Sequence, residues 1–129
     1  MNQSLLQYAL NGLNSSMQKV RAETQMTLGK LIEALEKMPA DAPVANLGNP
    51  HSYRGYYCDL AFARGKGKRL ASELLAECRA TMGAVLSGYK GGEYTMGAAT
   101  PVWVAEYGCC GKRIIALKPR GGLELAEDE

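Results

Sequence analysis

The sequence lacks the long apolar runs that mark membrane proteins and exported proteins. No run in its 129 residues approaches the roughly 18 apolar residues that a membrane span needs. Polar Asn2, Gln3 and Ser4 occupy the positions where a secretory signal would carry a basic region before an apolar block. No low-complexity linker and no internal repeat divides the chain. We therefore expect a single domain with one hydrophobic core, located in the cytoplasm and without a membrane partner.

Histidine and cysteine, the usual metal ligands, are scarce. The chain has one histidine, His51, and four cysteines, Cys58, Cys78, Cys109 and Cys110. Without a secretory signal, we interpret the cysteines as reduced thiols rather than as a disulfide framework. Zinc sites usually space their cysteines by about two to four residues, whereas the last two cysteines are adjacent. We therefore predict no metal site and no cofactor, and the role of the cysteines stays open.

Known catalytic patterns are missing as well. His51 and Ser52 are neighbours, and neighbours in a strand point to opposite faces, so they do not form a base and its nucleophile. Glu93 and Glu106 form an acid/base pair only if the fold brings them together, which their spacing does not require. With no catalytic residue to assign, we predict that the protein is not an enzyme.

The charge is unevenly distributed along the chain. Residues 51–120 hold eleven lysines and arginines against five acids, while four acids lie in the last six residues. A basic middle region favours an anionic partner such as a nucleotide, a nucleic acid or an acidic protein face. Within it, Gly65-Lys66-Gly67-Lys68 predicts a basic turn. This turn resembles a phosphate loop only superficially, because Arg69 stands where a hydroxyl side chain is needed.

The chain is predicted to have three parts: an N-terminal helix at 1–25, an α+β domain at 26–120 and an acidic flexible tail at 121–129. In residues 2–23, apolar side chains recur at intervals of three and four, the spacing of one helix face. This apolar stripe is narrow. The helix is therefore expected either to lie across the domain core or to pair with its copy in a homo-oligomer.

Two further helices are predicted inside the domain. Thr27 is suited to be an N-cap, and the helix after it should stop near Lys37 because Pro39 cannot continue it. Another helix is predicted from residue 69 to residue 86, with Gly88 ending it. Its inward-facing residues would be Leu70, Leu74, Cys78, Met82 and Val85 or Leu86.

The remaining apolar stretches predict a mostly antiparallel sheet. Strands are expected at 44–47, 56–63, 93–96, 101–107 and 113–118. Turns are expected at 48–50, 65–68 and 108–111. Two to three helices with such a sheet make a single α+β domain.

Two segments combine tyrosine, glycine and cationic side chains. The first covers residues 52–57, and the second covers 88–108 and includes the only tryptophan. Large rings beside flexible backbone are typical of a binding surface, and we expect the two segments to face each other. The predicted ligand-binding residues are Ser52, Tyr53, Arg54, Gly55, Tyr56, Tyr89, Lys90, Gly91, Gly92, Glu93, Tyr94 and Trp103.

The chemistry of these residues suits a nucleotide-like anion. The tyrosines would stack on a planar base, and Arg54 and Lys90 would neutralise phosphates. The glycines leave backbone N–H groups open to an anion, and Glu93 would accept a hydrogen bond from a ribose hydroxyl or an exocyclic amine. In a purely structural alternative, Trp103 belongs to the sheet core and Arg54 forms a surface pair with Asp59.

The motifs also resemble those of a known family. Ser-Tyr-Arg-Gly-Tyr-Tyr at 52–57, Gly-Tyr-Lys-Gly-Gly-Glu-Tyr-Thr-Met at 88–96 and Thr-Pro-Val-Trp-Val-Ala at 100–105 are similar to motifs of a family of small proteins from tailed bacteriophages. The resemblance covers about residues 27–117. It implies a phage-encoded protein located in the cytoplasm of the infected bacterium, and it transfers no catalytic residues.

These observations lead to a hypothesis of function. The protein is predicted to sequester an anionic signalling ligand, of the cyclic-nucleotide or ADP-ribose type, and so to counter a host antiviral defence. The alternative is a phage inhibitor that binds a host or defence protein directly. A small nucleotide-processing enzyme is the third possibility. The ligand, the host target and the oligomer size stay open.

Overall fold

The computed structural model describes residues 20–52, 58–87, 92–106 and 109–126. Within these ranges the chain forms three helical segments and seven strands. In chain order they are α1 (residues 20–24), α2 (Leu28–Glu36), β1 (Pro43–His51), β2 (Leu60–Leu70), α3 (Ala71–Thr81), β3 (Val85–Ser87), β4 (Glu93–Thr95), β5 (Val102–Glu106), β6 (Cys109–Leu117) and β7 (Leu123–Leu125). Most of the predicted N-terminal helix lies outside the described residues.

Five strands form one mixed sheet, and two form a separate small one. The order of the large sheet is β1-β2-β5-β6-β7, and β3 pairs with β4. In the large sheet only the β2–β5 pairing is parallel, and the other three are antiparallel. The structure is thus a single α+β domain with a mostly antiparallel sheet, which confirms the predicted fold class.

Helix α2 forms where the sequence predicts it. The Thr27 hydroxyl oxygen accepts a hydrogen bond from the backbone N–H of Lys30 at 3.3 Å, so the first turn has the predicted cap. Leu28, Leu31 and Leu35 recur on one face of the helix and are fully or almost fully buried. The helix therefore packs on the core through a continuous apolar stripe.

The segment before α2 is built into the sheet. The backbone N–H of Met26 donates to the carbonyl of Ile114 at 2.7 Å, and the N–H of Val102 donates to the Met26 carbonyl at 3.1 Å. Residues just before α2 thus bridge β5 and β6 where those strands separate. At the other side of the sheet, the N–H of Ala45 donates to the carbonyl of Gly121 at 2.8 Å. The sheet is therefore curved, so that β1 contacts the turn that precedes β7.

The core has two clusters, one on each face of the sheet. In the larger cluster α2 and α3 pack against the sheet; its largest members are Leu28, Leu31, Leu35, Val44, Leu47, Leu60, Phe62, Leu74, Met96, Val102 and Ile114. The smaller cluster contains Ala61, Trp103 and Cys110. Since Ala61 lies between Leu60 and Phe62 on β2, it points to the opposite face.

Two predicted turns are wrong, because the chain stays paired there. Residues 48–50 belong to β1, which continues to His51 through a register shift that places Asn49 at φ 48°. Residues 65–68 belong to β2, and the pairing of β2 with β1 is irregular there, between Ala45 and Leu47 of β1. Bulges allow glycine-containing segments to remain in a sheet where local sequence favours a turn.

The predicted third helix is too long. It starts at Ala71 and ends at Thr81, and the chain then turns through Gly83 at φ 81° into β3. Leu70, expected to face inward, is 42% exposed. Of the two alternatives at the end of the predicted helix, Val85 is 56% exposed and Leu86 packs against the core. Pairing of β3 with β4 therefore overrides the apolar periodicity that suggested a longer helix.

The C-terminal region is more ordered than predicted. Strand β6 begins at Cys109 rather than near Arg113, with Gly111 at φ 77° where an added Cβ would collide with the backbone of β5. Part of the predicted flexible tail forms β7, which pairs with β6. Among the described residues, no helix has the length and apolar character needed to cross a membrane.

Candidate functional site

A buried carboxylate lies two residues after the first predicted binding segment. Asp59 immediately precedes β2, and its side chain is fully buried. Arg21 forms two hydrogen bonds with it: Nε donates to Oδ2 at 2.7 Å, and Nη2 donates to Oδ1 at 2.9 Å. The indole N–H of Trp103 donates to Oδ2 at 2.9 Å. We call Arg21, Cys58, Asp59 and Trp103 the Asp59 cluster.

The Asp59 cluster satisfies the buried charge. A carboxylate removed from water is strongly destabilising unless an opposite charge and hydrogen-bond donors replace its hydration. The two-pronged contact from Arg21 supplies the charge in the bidentate geometry that arginine favours. Trp103 supplies a third donor, so the start of β2 is fixed relative to β5.

Cys58 is the fourth member of the cluster, and its thiol is weakly acidic. Its Sγ lies 3.6 Å from Asp59 Oδ1 and 3.5 Å from Arg21 Nη2. Burial raises the pKa of Cys58 above its ordinary value, the Asp59 charge raises it further, and Arg21 opposes these effects. Cys58 is therefore a neutral thiol at physiological pH rather than an activated nucleophile.

Gln25 extends this arrangement by one helical turn. Its side chain is buried, and its Nε2 donates to the carbonyl of Val102 at 2.9 Å. Its Oε1 is buried without a hydrogen-bond partner within the described part of the chain. Together, Arg21 and Gln25 attach the end of α1 to β2 and β5. The described segment α1 is thus anchored to the domain at its C-terminal end.

Described residues that flank 53–57 and 88–91 are attached beside the start of β5. The Pro101 carbonyl accepts a hydrogen bond from the N–H of Leu60 at 3.0 Å, three residues after the first segment. Four residues earlier, Gly97 opens a turn in which its N–H donates to the Thr100 hydroxyl at 2.8 Å. This turn connects β5 to Met96, the buried base of the β3–β4 hairpin. The described residues on the flanks of both segments are therefore attached to one packed region.

Five of the predicted site residues are described, and they differ in exposure. Ser52 is buried at the end of β1, and Tyr94 is half-buried opposite Leu86 on the hairpin. Gly92 and Glu93 are exposed, and Gly92 has φ 84°. The other seven lie outside the described residues: Tyr53, Arg54, Gly55, Tyr56, Tyr89, Lys90 and Gly91.

Trp103 is the fifth described site residue and lies in the core. Its side chain belongs to the smaller cluster, and the residue is 7% exposed. A cross-strand row joins it to His51, since Ala61 pairs both with His51 and with Trp103. Trp103 is thus connected to His51 through the sheet and to Asp59 through a hydrogen bond, and its ring does not form an open stacking surface.

Sequence reasoning missed the residues that hold this region together. The surface pair expected between Arg54 and Asp59 is wrong in one respect: Asp59 is buried and bonded to Arg21. The signal for burial was present, because Asp59 interrupts an otherwise apolar run before β2. The partner was not recognisable, because Arg21 is 38 residues away and lies on a different element.

Two surface grooves of about 330 and 340 Å³ lie on the helical side of the domain. One is formed mainly by α2, Pro39 and the end of β6, and the other lies between α2 and α3. Neither is lined by the predicted binding residues. In the described ranges, no three His, Cys, Asp or Glu side chains lie together as they would to hold a metal ion.

Comparison with known proteins adds no assignment. No protein-family model, no curated protein and no solved structure matches the chain. The resemblance to phage proteins therefore stays a prediction.

Proposed function

We propose that the protein binds an anionic nucleotide-like ligand, without turning it over, between residues 52–57 and 88–96. The observation that supports this proposal most is that described residues flanking both segments are attached beside the start of β5. Binding segments carried by a rigid scaffold lose less conformational entropy when a ligand binds. Asp59, after the first segment, and Met96, at the end of the second, are both buried, which supports such a scaffold.

The proposed recognition uses side chains of the two segments. Tyrosines of the two segments stack on the base, and each stacked base contributes about 1–3 kcal/mol in nucleic-acid complexes. Arg54 and Lys90 hold phosphate oxygens, and arginine does so through two parallel hydrogen bonds. Glu93 is exposed on β4, and its carboxylate accepts a hydrogen bond from a ligand hydroxyl or amine. The ligand class is therefore a nucleotide with at least one phosphate.

The biological role follows from the resemblance and from this chemistry. A phage protein that holds a cyclic-nucleotide or ADP-ribose-type signal in the cytoplasm of an infected bacterium lowers its free concentration. A host defence that depends on the signal is then not activated. We propose this sequestering role, and a homo-oligomer formed through the N-terminal helix is compatible with it.

The test is a thermal-shift screen of the purified full chain with cyclic di- and trinucleotides, cyclic ADP-ribose isomers, NAD and mononucleotides. A ligand that binds only the native state stabilises it by about 2.7 kcal/mol at a hundredfold excess over Kd. We expect one class to raise the melting temperature, and chromatography of the released ligand to recover it unchanged. Recovery of an altered ligand would contradict the absence of turnover.

The matched variants are Arg54→Ala/Lys90→Ala and Lys30→Ala/Lys37→Ala. Both remove two positive charges, but the second pair changes exposed lysines on and beside α2. We expect the first pair to abolish the ligand-induced shift and the second to preserve it, with the ligand-free melting temperature nearly unchanged in both. If the first pair unfolds the protein, these residues are structural and the proposed site is wrong.

One observation favours the alternative, direct binding of a host or defence protein. The β3–β4 hairpin pairs with no other strand among the described residues, and Val85 on it is 56% exposed. An exposed strand can accept a partner strand by β-augmentation. Under this alternative, Val85→Asp abolishes capture of a host protein by the tagged full chain, and no small ligand shifts the melting temperature.

A further inference from the structure

The open edge of β2 carries a concentration of positive charge that the proposed function does not use. Residues 64–68, Arg-Gly-Lys-Gly-Lys, are five consecutive exposed residues in a strand. Their cations are Arg64, Lys66 and Lys68, and neither β1 nor β2 contains an acidic residue. We call residues 64–68 the basic edge.

Among the residues that the structure describes, the cations of the basic edge form no salt bridge. Arg21, Arg69 and Arg79 each form a salt bridge with Asp59, Glu77 and Glu36, respectively. Among the described residues, no such contact forms at Arg64, Lys66 or Lys68. The positive charge there is not neutralised within the described protein and is available to an external anion.

The backbone of the basic edge is also accessible. Strand β5 pairs with β2 only from Leu60 to Phe62, so beyond Phe62 the β5-side edge of β2 has no strand partner in the described ranges. The register advances by two residues on β1, from Ala45 to Leu47, and by four on β2, from Lys68 to Arg64. The extra residues form a bulge at the centre of the basic edge.

The bulge has a defined geometry. The Asn46 side-chain amide donates to the Lys66 carbonyl at 3.0 Å, which fixes the bulge to β1. Gly67 has φ 75°, and an added Cβ there would meet no atom within 4 Å. Backbone N–H groups near such an uncovered glycine can approach an anion as closely as the lysine side chains can. The edge thus offers three cations and exposed backbone on a fixed support.

We propose that the basic edge binds the phosphate backbone of nucleic acid, independently of base sequence. A stable protein interface needs buried apolar or aromatic anchors, and residues 64–68 have none. Electrostatic attachment to an anionic membrane uses about four to eight lysines or arginines, more than this edge supplies. Phosphate groups are recognised by cations and backbone N–H groups, which are the groups present here.

The experiment is fluorescence anisotropy of the full chain with labelled DNA duplexes of about 20 base pairs in two unrelated sequences. Three phosphate contacts give a log–log salt slope of about −2.7, or a loss of affinity of about 40-fold between about 50 and about 200 mM salt. We expect at least this slope in the unaltered protein and similar affinity for both sequences.

Two triple variants locate the binding. Arg64→Gln/Lys66→Gln/Lys68→Gln should reduce the steepness of the slope by about 2.7 and weaken binding about equally for both duplexes. Lys30→Gln/Lys37→Gln/Lys118→Gln removes the same charge from exposed lysines elsewhere and should preserve binding. Circular dichroism and melting temperature confirm that both variants are folded.

Several results would overturn the proposal. One is the absence of duplex binding by the unaltered protein at about 50 mM salt. Another is an equal loss of affinity in both variants, which would indicate only a net-charge effect. Equal competition by inorganic triphosphate and by duplex at the same phosphate concentration would indicate a small-anion site. Binding to vesicles of anionic lipid but not to DNA would assign the edge to a membrane surface.

Discussion

Two arginine–carboxylate pairs in this protein resemble each other in sequence and differ in burial. Cys58-Asp59 and Glu77-Cys78 each place a cysteine next to the acid, and a distant arginine approaches each acid to 2.7 or 2.8 Å. The side chains of Arg21 and Asp59 are 13% and 0% exposed, whereas those of Arg69 and Glu77 are 23% and 33% exposed. Distance alone does not separate the two pairs; access to water does.

Burial decides how much each pair matters for stability. When one partner of a buried pair is removed, the other charge is left without water and without a counter-charge, which costs about 3–5 kcal/mol. A more exposed pair contributes about 0.2–1 kcal/mol, because water and salt replace the lost partner. The Arg21–Asp59 pair is therefore expected to contribute much more to stability than the Arg69–Glu77 pair.

The largest effect is expected from Asp59→Ala. This change removes the acceptor of both Arg21 and the Trp103 indole N–H. We expect the free energy of unfolding to fall by about 3–5 kcal/mol, measured by urea denaturation. Glu77→Ala is the matched control and should lower it by less than about 1 kcal/mol. Equal losses in the two variants would show that burial does not distinguish the pairs.

A smaller effect is expected from Trp103→Phe, which keeps an aromatic ring and removes the N–H donor to Asp59. A buried acceptor that loses one donor costs about 1–3 kcal/mol, to be measured by the same urea denaturation. Asp59→Ala/Trp103→Phe completes a double-mutant cycle. Because the two side chains share a hydrogen bond, the double variant should lose less stability than the two single variants together. Strict additivity would show that this bond contributes nothing.

Cys78, which follows Glu77 in the chain, is expected to make the protein less stable at alkaline pH. The pKa of Cys78 is raised from 9.0 to about 12. Burial is the largest cause, the Glu77 charge also raises the pKa, and Arg69 opposes both effects. Above pH 9 the unfolded chain therefore loses the thiol proton while the native protein keeps it, so stability falls as pH rises towards about 12. One pH unit of this window corresponds to about 1.4 kcal/mol.

Denaturation between pH 8 and pH 10 measures this effect against Cys78→Ala. The variant is less stable at neutral pH because it leaves a small cavity. Its stability should nevertheless decline less with pH than that of the unaltered protein. Parallel pH profiles would mean that the thiol titrates similarly in the folded and unfolded chains.

The smallest effect is expected at the most exposed pair. Arg79 and Glu36 lie 2.7 Å apart, but their side chains are 57% and 46% exposed. Arg79→Gln should change the free energy of unfolding by no more than about 0.5 kcal/mol. Its urea midpoint should be measured at low and at high salt. A loss above about 1 kcal/mol that disappears in high salt would indicate a stronger electrostatic role than exposure predicts.

Local sequence predicted the elements that depend on local chemistry. Helix α2 has its cap at Thr27 and its apolar stripe within nine residues, so short-range signals were sufficient. Strand β5 was likewise evident from alternating valines. Where glycines lie inside a paired strand, as at residues 65–68, local signals favoured a turn and long-range pairing overrode them.

The candidate site was predictable in part. The sequence itself determined that tyrosine, glycine and cationic side chains cluster in two segments, because composition is local. Only the tertiary structure decided that Trp103 turns inward and that Leu60 is hydrogen-bonded to Pro101 at the start of β5. It also decided that Arg21 neutralises Asp59 across 38 residues. Which charges meet and which lose their water depends on how distant parts of the chain pack, and no short-range pattern records that packing.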